Sequence, residues 1–469
     1  MRAARLPRGE RETKAVAMTA QAQREAAVSP ERILEQTPER TIAGLSGAIA
    51  GLIRSGELAP DTRLPTVREL ARVGGMSVRA VLAAWSELRE QGLVATQRRG
   101  GTVVLAPHDD GFAGWEQIDF GRTGIDAHLQ PSMRDALLAG LDSENLHAVG
   151  REAMTEPLRD AVAGSWPFAP EAWMTASGGA EALVLAIEAV APAGSAVAVD
   201  EPLAPGVLDT IRVLGLTAVG VASDDDGPLP EALAAALDAG AAAFVLQPGA
   251  PFAVRHALTE ERAAQLADVV AAHEGAWVIE DDAVGPLEPS PTPSLGERLP
   301  GRVLRIRSYC KAYGTDLRTS VLGGPTELIE RAQALRSHGA GSTSRILQNA
   351  LAHLLTSEDA AAVVRAARAR YDAARRALLE ALAERGVRAA SGPRSLVVWV
   401  EAPDEMGALL ALARRGIVVG ASSRSFASAL DRPMLRVSVT QLPPSPELIA
   451  DLADRIADSV SADSREFFD

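Results

Sequence analysis

Cysteine occurs once in the 469 residues, at Cys310, so no disulfide can form within the chain. No apolar run reaches the ~18 residues that a membrane-spanning helix needs. The opening MRAARLPRGERETKAVAM is basic but lacks the apolar core of a secretory signal, and elimination leaves a bacterial-type cytoplasmic location as the expectation. No repeat of solenoid period is present. Lysine is nearly absent: of 47 Lys and Arg, only Lys14 and Lys311 are lysine. What remains is a chain with 47% hydrophobic residues, long enough for two or three domains with sizeable cores. Its charge is uneven. Residues 1–106 hold 16 Lys and Arg against 11 Asp and Glu, a net +5, whereas the whole chain is −14, leaving −19 on the remainder. A mildly basic front on an acidic body fits a nucleic-acid-binding segment joined to a domain that does not bind nucleic acid.

Four stretches differ in pattern. Residues 1–40 are polar and rich in Ala, Glu and Arg without a sustained apolar period, which predicts a disordered extension. Residues 41–105 read as helices followed by a hairpin. Residues 106–117 carry turn residues and little periodicity, as a linker does. From residue 118 to 469, short apolar runs alternate with Ala/Leu/Arg-rich helical stretches. Those runs are SAVAVD (195–200), AAAFVLQP (241–248), AWVIEDD (276–282) and RVLRIRSY (302–309), and they predict a buried parallel sheet, hence an α/β domain. SLVVWVEA (395–402), IVVGAS (417–422), MLRVSVT (434–440) and a helix over 445–460 predict a smaller α+β subdomain.

In the first folded stretch, an amphipathic helix ends near Ser55-Gly56. Thr66 with Glu69 three residues on forms a capping-box pattern, and that second helix ends at Gly74-Gly75. Ser77 caps a third helix, whose first residues, Ser77, Val78, Arg79 and Ala80, would face base edges in a major groove. LVATQRRGGTVV then reads as a two-stranded wing with Arg98, Arg99 and Gly101 at its tip, placed to meet phosphates or a minor groove. The run RLPTVRELA, Ser77, LREQGLV and RRGGTVV closely resembles the GntR winged helix-turn-helix head. The resemblance implies binding to double-stranded operator DNA through Arg68, Ser77, Arg79, Ala80 and the wing at Arg98, Arg99 and Gly101. GntR heads commonly carry a basic residue after the cap, where this chain has Val78, so its sequence preference is expected to differ.

Lys311 is the conspicuous residue of the second domain. Arg serves this chain at solvated sites, whereas an imine with an aldehyde needs a primary amine that can lose its proton. Lys311 follows a strand, where α/β sheets present ligands. Asp281 follows the strand AWVIE and suits a protonated pyridine nitrogen. Ser177-Gly178-Gly179-Ala180 precedes a helix and offers amide donors to a phosphate, which Ser308 and Arg318 would complete. Arg436, on MLRVSVT, suits a substrate carboxylate. Cys310 reads as a small packing residue, since no paired histidine is visible.

That order resembles the fold-type I aminotransferases, and a GntR head on such a body is the arrangement of the MocR regulators. The resemblance covers roughly residues 41–455. It implies pyridoxal 5'-phosphate (PLP) as cofactor, with Lys311 as the Schiff-base lysine, Asp281 as the ring-nitrogen partner, Ser308 and Arg318 as phosphate ligands and Arg436 as the carboxylate clamp. It also implies a homodimer. Three positions depart from the family: Phe252 replaces an asparagine, Ala283 a tyrosine or histidine, and Ala204 a tyrosine near the ring. Phe252 and Ala283 cannot hydrogen-bond the ring hydroxyl oxygen, which argues against efficient transamination. Three readings follow. One is a regulator whose body senses PLP, an amino acid or an amine. The second is a working aminotransferase with an added DNA-binding head. The third is a regulator whose body has lost the cofactor and serves as a dimerisation scaffold.

Overall fold

The computed structural model describes residues 28–461, apart from 38, 55–56, 60–61, 91–92, 98–100, 105–113, 145, 149, 151, 289–290 and 340. The chain divides into two compact units, one up to Ala113 and one from Gly114.

The first unit holds α1 (Pro30–Glu35), α2 (Ile42–Arg54), α3 (Val67–Gly74), α4 (Val78–Glu90) and the antiparallel pair β1 (Val94–Gln97) and β2 (Gly101–Val104). Thr66 caps α3, with both halves of the Thr66–Glu69 box formed, and Gly75 ends the helix in the left-handed region at φ 64°. The Ser77 hydroxyl accepts the Ala80 amide at 3.1 Å and starts α4. Leu45, Ile49, Leu70, Val81, Ala84, Trp85 and Leu88 form its core.

Two features differ from the expectation. Part of the stretch read as disordered, Pro30–Glu35, is helical, and Ile33 and Leu34 lie in the head's core. The two apolar residues are adjacent, so they show no period. The signal was the Ser29 cap with Pro30 at the first helical position. In addition, the Leu64 amide bonds the Thr102 carbonyl and the Val104 amide bonds the Thr62 carbonyl, so residues 62–64 flank β2 as a third extended segment.

In the second unit, β3 (Ala172–Ala176), β4 (Ala196–Asp200), β5 (Thr217–Val221), β8 (Ala241–Leu246), β9 (Trp277–Asp282), β10 (Val303–Ser308) and β11 (Ser320–Gly324) make one sheet in the order β3-β11-β10-β9-β8-β4-β5, while β6 (Ser223–Asp224) and β7 (Gly227–Pro228) form a separate short hairpin. Side chains alternate across the sheet. Val245, Ile279 and Ile306 face a core built with the helices Gly179–Val190 and Thr326–Ser337; Phe244, Leu246 and Val278 face the opposite core with the helix Glu260–Ala272. The four strands read from the sequence are parallel neighbours, but the sheet is mixed: β11 runs antiparallel to both β10 and β3. The connection from Tyr309 to Thr319 is too short for a helical crossover to a parallel neighbour, so the chain turns back directly.

The smaller subdomain is a four-stranded antiparallel sheet, β12 (Ala389–Ala390), β13 (Val397–Glu401), β15 (Met434–Ser438) and β14 (Gly420–Ala421), with helices that include Pro446–Val460. Most of the expected linker, 106–113, lies outside the described residues. Its last residues form the short helix Trp115–Gln117, and Trp115 is buried against Phe120 with its indole N–H on Asp451 at 2.8 Å. Turn-forming composition masked that anchor, because a single tryptophan creates no period.

Candidate functional site

β9 ends in three consecutive carboxylates, and strand alternation sorts them. Glu280 and Asp282 point to one face and pair with Arg305 at 2.7 and 3.0 Å, while Arg307 also reaches Asp282 at 2.8 Å. The parallel register places Arg305 beside Glu280 and Arg307 beside Asp282. Those arginines hold the Asp282 carboxyl below its usual range despite burial. Asp281 points to the other face, with Ile279, Ile306 and Ser308. Burial pushes its carboxyl up, opposed by a hydrogen bond from Gln247 and by the charge of Lys311.

On this face the sequence-predicted residues converge. A Cβ on Gly179 would run into the Ser308 hydroxyl, and one on Gly178 would meet the Arg318 guanidinium at 3.3 Å. Gly178 has φ 101°, a conformation that favours glycine. The helix Gly179–Val190, with Ala180 in its first turn, has no side-chain cap, so its leading amides are open to an anion. Arg318 itself sits at φ 42°, an unusual backbone conformation for a residue with a side chain, and no carboxylate among the described residues pairs with it. Arg336, unremarked in the sequence, anchors the turn by bonding the Thr175 carbonyl at 3.0 Å, the Ser177 hydroxyl at 3.0 Å and Glu181 at 3.2 Å. This is a cradle with glycines at the closest approach, amide and hydroxyl donors, and an unpaired cation, which suits a phosphate.

Lys311 stands on the short helix Cys310–Tyr313 directly after β10, half-buried, and its Nζ donates to the Ala283 carbonyl at 3.1 Å. Ala283 thus contributes its backbone here, and neither it nor Phe252 offers a side-chain donor. Phe252 is buried against Val397 and Trp399, with its ring centre 5.9 Å from the Arg436 guanidinium. Arg436 is buried on β15. It donates to the Ser425 hydroxyl at 2.6 Å and to the Gly121 carbonyl at 2.7 Å, and no carboxylate among the described residues lies within ion-pair distance. Burial, reinforced by nearby Arg424, lowers its pKa to about 10. A buried cation with only neutral partners is a ready seat for a carboxylate.

Gln247, also missed in the sequence, joins these parts. Its amide donates to Asp281 at 2.7 Å and its carbonyl accepts the Ala204 amide at 3.0 Å. The preceding Leu203 amide bonds the carbonyl of Ser425, the residue that holds Arg436. A strand-end glutamine looks like any solvated end until β8 is known to neighbour β9.

In the first unit, Arg68, Ser77, Arg79 and Gly101 are exposed and Ala80 is partly so. Arg98 and Arg99 lie outside the described residues. Arg63, which the sequence reading passed over, is exposed on the segment beside β2, and its side chain lies near Gly101.

Among the described residues no helix is long and apolar enough to cross a membrane. Residues 126–456 match the family described as aminotransferase class I and II, and residues 43–104 match the bacterial regulatory proteins of the gntR family. The vitamin B6 salvage pathway transcriptional repressor PtsJ of Salmonella typhimurium is 29% identical over 350 residues, covering 72% of this chain and 80% of that protein. The HTH-type pyridoxine biosynthesis transcriptional regulator PdxR of Corynebacterium glutamicum is 25% identical over 337 residues, covering 67% and 72%. The crystal structure of a kynurenine aminotransferase from Pyrococcus horikoshii matches with a TM-score of 0.66 at 19% identity, over 75% of this chain and 91% of that one, a likeness of fold. With a class I and II aminotransferase body and a GntR helix-turn-helix head in one polypeptide, the chain belongs to the MocR-type DNA-binding transcriptional regulators.

Proposed function

We propose that the body binds PLP as a sensor and that the head carries the response to operator DNA in the cytoplasm. The observation that supports this most is the convergence of Lys311, Asp281, Ser308, Arg318 and the Gly178-Gly179 turn on one face of the sheet. The cradle at Gly178 and Gly179 fits a phosphate, Asp281 fits a pyridine nitrogen, and Lys311 supplies the amine for an aldehyde. When bound, PLP supplies an electron sink. Phe252 and Ala283 offer the ring hydroxyl no side-chain donor, which alters the basicity of the imine and favours sensing over turnover. PtsJ and PdxR, named for vitamin B6 salvage and pyridoxine biosynthesis, support a link to this cofactor.

Arg436 favours an added role for a carboxylate. Its neutral partners, Ser425 and Gly121, are ones that an amino acid carboxylate would outcompete, so the effector would be an amino acid bound beside PLP. We take the working unit to be a homodimer, which would present two heads to a paired operator.

Titrating the purified chain with PLP tests this reading. A visible absorbance band should appear, and Lys311→Ala should remove it. A wild-type protein that develops no band would sink the proposal. Loss of the band with a released keto acid on adding an amino acid would shift the reading to a working aminotransferase.

A further inference from the structure

Gln247 is buried, with 2% of its surface exposed, and both ends of its amide are committed. The Ala204 backbone N–H can only donate, so it fixes the Gln247 carbonyl toward itself. That leaves the amide nitrogen as the donor to Asp281. Ala204 is itself held at the start of the helix Pro205–Val213, and the adjoining Leu203 is tied to Ser425, so the glutamine cannot swing away without breaking a second bond. The other groups whose charge bears on Asp281 are Lys311, from the short helix after β10, and Asp282, its neighbour on β9, which Arg305 and Arg307 neutralise on the opposite face. Gln247 is the side chain that donates a hydrogen bond to the Asp281 carboxylate among the described residues.

We propose that Gln247 is a positioning residue for the PLP site: it holds Asp281 ionised and aimed, and thereby sets the protonation of a pyridine nitrogen placed against that carboxylate. The inference rests on the PLP reading above. A hydrogen bond to a charged acceptor in a buried site favours the charged form, and its loss leaves burial unopposed except by Lys311. A less ionised Asp281 keeps a ring nitrogen less protonated. The nitrogen of Lys311, relieved of that electron demand, then holds its proton to higher pH.

The test uses the full chain with PLP and three substitutions. Gln247→Glu keeps the shape and an acceptor for Ala204 but presents a second carboxyl to Asp281. Gln247→Leu removes both bonds, and Gln247→Asn, one methylene shorter, replaces it if the leucine variant does not fold. For each, the spectrum of bound PLP is followed against pH and the affinity is measured by titration. We expect the pH of the spectral change to rise by about one unit and the affinity to fall about tenfold in all variants. A residue that served packing alone would lower affinity in the leucine variant and leave the spectral pH in place. An unchanged spectral pH in Gln247→Leu, or in Gln247→Asn where the leucine variant does not fold, therefore overturns the proposal, whatever happens to affinity. If the unsubstituted protein shows no band, the PLP reading fails and this inference with it, a result distinct from failure confined to the variants.

Discussion

In the head, the residues expected to meet DNA lie between Arg68 and Gly101, held by caps and a hairpin whose partners are mostly near in sequence. In the body, the candidate site draws on segments from Ser177 to Arg436, brought together by strand order and alternation. The contrast separates two kinds of vulnerability. A change to an exposed side chain of the head should alter binding with little effect on folding. A change within the body's sheet should be felt in stability and at the site together, because β9 carries Asp281 and β10 leads into the helix of Lys311, while Arg305 and Arg307 on β10 balance Glu280 and Asp282 on the opposite face.

The sharpest way to break this contrast is Arg305→Met. Arg305 is buried and bonds Glu280, Asp282 and Thr292. Removing one partner of a buried ion network leaves uncompensated charge and costs about 3–5 kcal/mol. Urea unfolding followed on the body should show that loss, with weaker retention of PLP, while the folded variant binds a duplex selected from a random pool as before. A loss under about 1 kcal/mol would mean that the carboxylates of β9 do not depend on Arg305. Adding Glu280→Gln to the variant should recover part of the stability, since it removes the orphaned charge.

The effect of Arg79→Ala should be smaller and confined to DNA. Arg79 is exposed in the first turn of α4, and among the described residues no carboxylate pairs with it. Loss of a base contact costs about 1–3 kcal/mol of affinity and relaxes preference at one position, whereas loss of a phosphate contact weakens all sequences alike and lowers the salt slope by about one. Fluorescence anisotropy at several salt concentrations distinguishes the two. Unchanged affinity would remove Arg79 from the interface, and a lost PLP band would deny the separation of head from body.

The same contrast explains what the sequence made legible. The Thr66–Glu69 box, the Ser77 cap and the runs that became β4, β8, β9 and β10 are local patterns, and each element stands where it was expected. The helix at Pro30, the extended segment at 62–64 and the buried Trp115 escaped because each depends on partners distant in sequence and makes no period of its own. The residues of the body's site were visible as types, a rare lysine, a glycine turn and a carboxylate after a strand, and the structure places them on one face. Gln247 and Arg336 were not visible. Their meaning comes from β8 lying beside β9 and from the helix Thr326–Ser337 lying behind the Ser177 turn, and strand order is not written in any single segment.

The smallest expected effect probes the local end of the contrast. Thr66→Ala removes one half of the capping box, the hydroxyl that accepts the Glu69 amide at 3.2 Å, together with the hydroxyl's own bond to the Glu69 carboxylate at 2.9 Å, and leaves the Thr66 amide on that carboxylate at 3.1 Å. A lost cap costs about 1 kcal/mol, which a denaturation curve of the head should resolve. The Thr66 bonds hold the Glu69 carboxyl below its usual range, so its stabilising share is present above that range and disappears as pH falls. The gap between variant and wild type should therefore narrow below about pH 4. Since α3 precedes α4 and Gly75 closes it independently, α4 keeps its own Ser77 cap, and DNA affinity should fall only in proportion to the unfolded fraction. A loss of affinity at saturating folded protein would show that the cap also orients α4, and the head would then be less local than its caps suggest.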